Sequence, residues 1–435
     1  MRKEGKLTLM QAVAMAVGTM IGASIFSIFG YGVKIAGTGL PIAFVLSGIY
    51  ALMVAYSYAY FGKNFVSNAG PIAFIEKGFG DSPIVGALSI LMWMSFVVSI
   101  SLFAISFSGY FIPLVHLNSS FHPVVEVLII ALFGALNYSG GSRFIGRLEF
   151  WIVLFKLLVL LTFVAAAFCA FHPEYLKFNT SPQFIKGILT ASVVFFLSYM
   201  GFGIVTNDSE NIENPRVNVP RAIYISIFVV MLVYVSVSLA ALGSMPAEEL
   251  VKYKENALAV AAQPVLGNFG YFLLSIGALA SISSALNATL YSGANAAYAL
   301  MKKGYIPHPE MQKRREWMGE HSGLYLTCTL ALLFTLLFNV TSVASIISII
   351  FTVIYIGVIA SHLKLADKIG GRKGLIFFNL IVITFVAFQI ILFQLKTSKL
   401  TFFTTILVFT VSYLLERFYY GKRREIRPPA VTEQA

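Results

Sequence analysis

Met20-Ile21-Gly22-Ala23-Ser24-Ile25-Phe26 lies in the middle of the first long apolar segment of a 435-residue chain, not at either end of that segment. Three small residues in succession are a poor way to continue a helix. Glycine costs about 1 kcal/mol of helix propensity relative to alanine, and serine offers the backbone competing hydrogen bonds. In hydrocarbon, a helix break is tolerated only where protein or a water-filled cavity satisfies the freed N–H and C=O groups. A break also creates two useful ends. The amides of the second half, at the positive end of its dipole, suit a carboxylate, and the carbonyls of the first half suit a cation. The alternative is that Gly22, Ala23 and Ser24 form a small-residue surface for another helix to pack on. On this stretch alone both readings stand.

The rest of the chain sets the context. With 58% hydrophobic and 11% charged residues, a soluble globular protein is excluded. Apolar runs of about 20 residues, enough to cross a hydrocarbon core, recur almost end to end. The opening Met1-Arg2-Lys3-Glu4-Gly5-Lys6 and the apolar run after it have the outline of a signal peptide. That reading is rejected because the run continues past any cleavage site and many more follow. The pattern predicts an all-α membrane protein with twelve transmembrane helices, at 8–32, 40–63, 82–115, 123–138, 149–172, 186–207, 219–242, 269–301, 322–338, 341–363, 374–395 and 400–420. The turn Ser67-Asn68-Ala69-Gly70-Pro71 leads into a short amphipathic piece, and residues 246–267 read as either one or two short helices or a plain loop.

Charge sets the orientation. If the N-terminus is cytoplasmic, 23 of the 31 Lys and Arg residues fall in the cytoplasmic loops and tails, seven fall on the other side, and Lys156 is left inside a span. The positive-inside rule then predicts a multi-pass protein of the cell membrane with both termini cytoplasmic. The net charge of +12 is explained in this way, so nucleic acid is not an expected partner, whereas the lipid bilayer is. Cys169 and Cys328 both fall in apolar segments and suggest no disulfide or metal site. The six histidines show no H-E-x-x-H spacing and no phosphate-binding G-x-x-x-x-G-K-[ST] loop is present. Metal catalysis and ATP-driven pumping are therefore not expected, and an enzyme would need a convergent acid, base or nucleophile set at membrane depth, for which Lys156 alone stands out as a candidate.

The sixth span repeats the signal of the first. Tyr199-Met200-Gly201-Phe202-Gly203 again puts glycines in mid-span. Interrupted helices at corresponding places in two halves are the best sequence pointer to a transporter site. Loop charge runs span one outward and span six inward, so the halves are expected to be inverted repeats. The carbonyls of Ile21 and Met200 can receive an ammonium, and the amides of Ala23 and Ser24 a carboxylate. The expected substrate site comprises Ile21, Gly22, Ala23, Ser24 and Ile25 with Tyr199, Met200, Gly201, Phe202 and Gly203, Phe202 acting as a cover. Lys156 sits about two turns inside span five. It either snorkels to the interface or faces the interior, as intramembrane ionisable groups usually do, where burial disfavours its charged form and suits it to proton exchange.

Gly18-Thr19-Met20-Ile21-Gly22-Ala23-Ser24-Ile25-Phe26, the Ser67-to-Pro71 turn, and Asn137-Tyr138-Ser139-Gly140-Gly141 ahead of Lys156 resemble the amino acid, polyamine and organocation transporter family. So does Gly201-Phe202-Gly203, followed by Ser209-Glu210-Asn211-Ile212-Glu213-Asn214-Pro215-Arg216 and Val219-Pro220-Arg221-Ala222. The similarity covers nearly the whole chain and is nearest to the broad-specificity, proton-coupled amino acid members. It implies a five-plus-five inverted-repeat fold of the leucine-transporter kind with spans one and six interrupted: a first repeat at 1–172, a second at 186–363, two added helices at 374–420 and a basic tail at 421–435. It implies alternating access.

In sodium-coupled relatives a small residue and two hydroxyl residues surround the ion with span-one carbonyls. The resemblance carries that pattern onto Ala280, Ser283 and Ser284, with Gly18 in span one and the Lys156 ammonium in the place of sodium. Relatives that handle cationic substrates carry an acidic residue where this chain has Gly203. The expectation is sodium-independent proton symport of neutral L-amino acids, with protons as coupling ion and no cofactor. The rivals are an amino-acid exchanger, a cationic amino acid or polyamine carrier and, from another class, a transport-dead receptor or assembly subunit.

Overall fold

The protein is described by a computed structural model over residues 6–21, 24–66, 70–139, 142–302, 305 and 321–426, by backbone alone over 142–150 and 420–426. The first apolar segment is two helices, α1 (Leu9–Met20) and α2 (Ser24–Ala36). Thr8 caps α1 in a reciprocal box with Gln11, which fixes where the first half starts. There follow α3 (Leu40–Asn64), the short α4 (Gly70–Phe79), α5 (Pro83–Leu114), α6 (His122–Tyr138) and α7 (Ser142–Cys169). Ser82 caps α5 and Pro83 opens it, because proline lacks only a donor that the first turn leaves unused.

The sixth segment is broken differently from the first. Helix α8 (Pro182–Phe195) runs into an eight-residue 3-10 helix, Phe196–Gly203, before the single turn α9 (Ile204–Asn207). Runs of 3-10 helix beyond three or four residues are uncommon. The interruption therefore begins five residues before Gly201. Beyond it lie α10 (Pro215–Ser244), α11 (Ala247–Leu250), a 3-10 turn over Val251–Asn256, α12 (Ala257–Ala261) and α13 (Gln263–Lys302). The 246–267 stretch is thus a set of short helices. The chain is left-handed at Gly267, inside α13, a conformation that glycine adopts without steric penalty. The long apolar run starts just after it. Finally come α14 (Ser322–Leu337), α15 (Val340–Ile369), α16 (Lys373–Thr397) and α17 (Lys399–Ile426).

Ten helical stretches among the described residues are long and apolar enough to cross a membrane, and α1 and α14 are shorter apolar helices. The only extended pairing among the described residues is one bridge between Leu7 and Ile212. The protein is an all-helical, multi-pass membrane protein. Helices α16 and α17 expose Phe377, Phe378, Phe385, Phe388 and Phe403, as expected where hydrocarbon is the solvent. The interior instead holds buried tyrosines, Tyr58, Tyr110, Tyr199, Tyr234 and Tyr355 among them. Glu210 and Glu213 are exposed at the end of α9, where the backbone of Leu7 pairs with Asn211 and Glu213. The turn at 67–69, the Gly140-Gly141 pair and the tail from 427 onward lie outside the described residues.

Candidate functional site

The two interruptions meet. A Cβ built on Gly201 would stand 2.8 Å from the Met20 amide nitrogen and 2.9 Å from Thr19 Cγ2. A glycine is required here because the α1 backbone occupies the space of a side chain. Beside this contact lies a cavity of about 210 Å³. Its walls include Thr19, Met20 and Ser24 from the first break and Leu197, Met200, Gly201 and Gly203 from the second. Tyr58 on α3, Ser99 and Phe103 on α5, Thr289 and Ser292 on α13, and Phe351 and Tyr355 on α15 complete it. Among the described residues that line it, none is Asp, Glu, Lys, Arg or His.

Tyr234 on α10 ties the breaks together. Its hydroxyl lies 2.6 Å from the Met20 carbonyl, 3.0 Å from the Ser198 carbonyl and 3.0 Å from Ser24 Oγ. Ser24 Oγ is also 3.0 Å from the Met20 carbonyl. These four contacts share only two hydroxyl protons, one from Ser24 and one from Tyr234. At most two are hydrogen bonds at any moment, so the cluster has acceptor capacity to spare. Surplus carbonyl and hydroxyl oxygens at a helix break suit a multi-donor cation such as an ammonium group. Tyr355 adds a donor to the Met200 carbonyl at 3.3 Å.

Of the residues expected at the substrate site, Ser24, Met200, Gly201 and Gly203 line the cavity. Gly22 and Ala23 lie outside the described residues. Ile21 ends α1 and Ile25 lies in α2, both fully buried away from the cavity wall. Tyr199 turns its hydroxyl to the Phe44 carbonyl, 2.9 Å away. Phe202 is not a cover over the cavity. It is fully buried, stacked on Tyr355 at 5.8 Å and edge-on to Tyr58 at 5.2 Å. The tighter 3-10 turn rotates it behind the wall, and Tyr58 and Tyr355 face the cavity in its place. The sequence reading missed Tyr58, Tyr234 and Tyr355. The only signal for them was a polar-tipped aromatic inside an otherwise apolar span, and such residues need a partner when buried.

Lys156 is 2% exposed and its Nζ donates to the Gly18 carbonyl at 2.5 Å. The side chain therefore crosses from α7 to α1 and does not reach the interface. Gly18 gives it room and is itself packed on Val153, whose Cγ2 lies 2.6 Å from where a Cβ would be. On α13, Ser284 is buried while Ala280 and Ser283 are half-buried. Gly277, one turn before Ala280, packs on Val159, one turn after Lys156, so the two helices cross at this level.

The cavity extends to Pro71 and Asn207, at the end of the bundle where Leu7 meets Ile212. The far end is closed. Tyr110 donates to the Phe26 carbonyl at 3.0 Å, Tyr31 donates to Glu255 at 2.9 Å, and Gly30 lies directly against the Lys254 carbonyl.

Comparison with known proteins identifies the class. Residues 7–414 match the family model described as amino acid permease. The chain belongs to that family, whose members are transporters and not enzymes. It is 54% identical to an uncharacterized protein of Methanocaldococcus jannaschii over 96% of each chain. It is 30% identical to the inner membrane transport protein YbaT of Escherichia coli, over 83% of this chain and 84% of that one. A crystal structure of a manganese transporter mutant from Eremococcus coleocola shares the fold, with a TM-score of 0.59, 11% identity and 96% coverage of both chains.

Proposed function

We propose that this amino acid permease is a secondary active transporter of neutral L-amino acids, driven by protons without sodium and working by alternating access. The observation that carries the substrate class is the uncharged wall of the cavity. A zwitterion is held by its ammonium on the oxygens around Tyr234 and by its carboxylate at the start of α2. A cationic or acidic side chain would meet no counter-charge, and an unpaired charge away from water is costly. The cavity admits small and medium side chains among Met92, Phe96, Leu102 and Ile347.

Coupling is assigned to Lys156. Protonated, it supplies a donor and a positive charge to the Gly18 carbonyl, joining α7 to α1. Deprotonated, it loses the charge that strengthens this link, and α1 and α7 are free to move apart. Loading and unloading one proton thus biases the relative position of the helix that carries half of the substrate site. Ala280, Ser283 and Ser284 on α13 form the third wall of this coupling site.

The packing supports the inverted-repeat reading. If α1 with α2, and α8 through α9, each count as one span, the described residues make up twelve. Counterparts five spans apart then pack on one another: α1 on the 3-10 segment, α3 on α10, α5 on α13, and α6 on α14. Loop charge assigns the end bearing Leu7 to the cytoplasm, so the cavity is reached from inside and the closed end faces out.

The test is uptake of labelled L-alanine into liposomes containing only this protein, in sodium-free buffer, with and without an inward proton gradient. Accumulation that needs the gradient is expected, and Lys156→Ala abolishes it while the protein still inserts and folds. Uptake only into vesicles preloaded with amino acid would make the protein an exchanger. Undiminished gradient-driven uptake in Lys156→Ala would remove lysine from the coupling mechanism.

A further inference from the structure

Ser108, fully buried on α5, stands between two titratable side chains of α6. Its Oγ is 2.9 Å from Glu126 Oε1 and 2.9 Å from His122 Nδ1. Glu126 is 7% exposed, inside a candidate membrane span, where an ionisable group is more often functional than structural. His122 is half-buried and lines a second cavity, of about 740 Å³, at the closed end of the molecule. We propose that Glu126 is a proton-binding site distinct from Lys156, loaded from this cavity through His122 and Ser108. Its part in transport rests on the proton-coupled reading above; the binding of the proton does not.

The geometry allows a balanced relay. In one state His122 carries a proton on Nδ1 and donates it to Ser108 Oγ, while the Ser108 hydroxyl donates to the ionised Glu126. When Nε2 also takes a proton from the cavity, the imidazole is cationic. The Nδ1 proton then moves to Ser108 Oγ as the Ser108 proton moves to Glu126 Oε1. The imidazole ends neutral and protonated on Nε2, the carboxyl neutral, and the serine unchanged. The Ile105 carbonyl, also 2.9 Å from Ser108 Oγ, is the other acceptor open to the serine proton, so the relay runs when that hydroxyl turns from Ile105 toward Glu126 or His122.

The charged and titratable surroundings give the site a consequence. The closed-end cavity is also lined by His116, Lys252, Lys254, Glu255 and Tyr271. Tyr110 neighbours the line on α5, and Cys328 on α14 lies against Gly134, two turns along α6. Glu255 accepts the Tyr31 hydroxyl that fastens the 251–256 turn to α2, and it packs on Gly109, the residue after Ser108. An ionised Glu126 puts a second negative charge behind Ser108, next to the Gly109 on which Glu255 packs, and like charges repel. A proton on Glu126 removes that repulsion and favours the seated turn. Proton arrival at this end therefore promotes its closure.

The experiment is pH-difference infrared spectroscopy of the purified protein in lipid. A carboxylic-acid C=O band is expected that Glu126→Gln removes and Lys156→Ala retains. An unchanged set of carboxylic bands in Glu126→Gln overturns the proposal. In liposomes, Glu126→Gln and Ser108→Ala should lose the dependence of uptake rate on pH at the closed-end side. A profile identical to that of the parent would sink the relay. If no form accumulates substrate under a proton gradient, the transport reading fails, and the infrared band still decides the fate of Glu126.

Discussion

Tyr234 shows how much one side chain can hold together when backbone hydrogen bonds are missing. Its hydroxyl meets carbonyls of both interrupted segments and the Ser24 hydroxyl. Tyr234→Phe keeps the ring and removes the only proton it offers. We expect a stability loss of about 1–3 kcal/mol, the usual penalty for leaving buried polar groups unsatisfied, read as earlier thermal unfolding, together with weaker substrate binding. Unchanged unfolding and affinity would mean that the hydroxyl is a spectator. Gly201 is the complementary case, fixed by what is not there. A side chain on it strikes the Met20 backbone nitrogen, which cannot swing aside as a flexible side chain can. Gly201→Val should abolish substrate binding without preventing membrane insertion, as judged by ligand-induced stabilisation of the purified variant. Normal stabilisation would show that the two breaks tolerate separation. Gly201 and Gly203 could be singled out from sequence because small residues in mid-span are rare enough to notice. Tyr234 could not, because one tyrosine in an apolar span has the same appearance whether it faces lipid or two orphan carbonyls.

Among the elements, the 251–256 turn is the piece whose position decides which end is closed. Lys254 holds a left-handed backbone there, a conformation uncommon for a residue with a side chain. That bend sets its carbonyl against Gly30 of α2. Gly30→Leu should drive the turn off α2 and leave the far end open. The measure is reactivity of Asn256→Cys, a buried position of the same turn, toward a water-soluble maleimide in a Cys169→Ser background, expected to rise, with uptake lost. Low reactivity and normal uptake would show that the turn seats by other contacts. The same scale explains the different forms of the two breaks. In span one α1 ends at Met20 and α2 begins at Ser24, both keeping α-helical form. In span six the chain tightens into a long 3-10 helix from Phe196, because the aromatic packing of Tyr199 and Phe202 holds the backbone where propensity alone would not. Glycine content located that interruption but not its start, and the place of Phe202 between two glycines suggested a cover where the ring packs on Tyr58 and Tyr355.

For the molecule as a whole, the testable quantity is sidedness. In a Cys169→Ser background, Lys177→Cys, exposed at the closed end, should react with an impermeant maleimide added to intact cells. Lys373→Cys, exposed at the end bearing Leu7, should react only after the membrane is opened. The reverse pattern would invert the orientation drawn from loop charge and turn the cavity outward.

The chain by itself determined that this is a helical membrane protein with two interrupted spans. Hydrocarbon enforces long apolar runs and makes small residues in mid-span conspicuous, and both are local properties. The motif set around Gly22 and Gly201 carried the family, which the comparisons establish. Lys156 was visible as the one basic residue inside a span, yet its reach to Gly18 needed the crossing of α7 and α1. Tertiary structure decided the rest: Tyr58, Tyr234 and Tyr355 at the cavity, Phe202 behind it, Glu126 joined to His122 through a serine of another helix, and the contacts of α2 with Tyr110 and the 251–256 turn that close one end. Each of these depends on contacts between residues far apart in the chain, and the bilayer makes every span so uniformly apolar that the pattern within a span does not say which face turns inward.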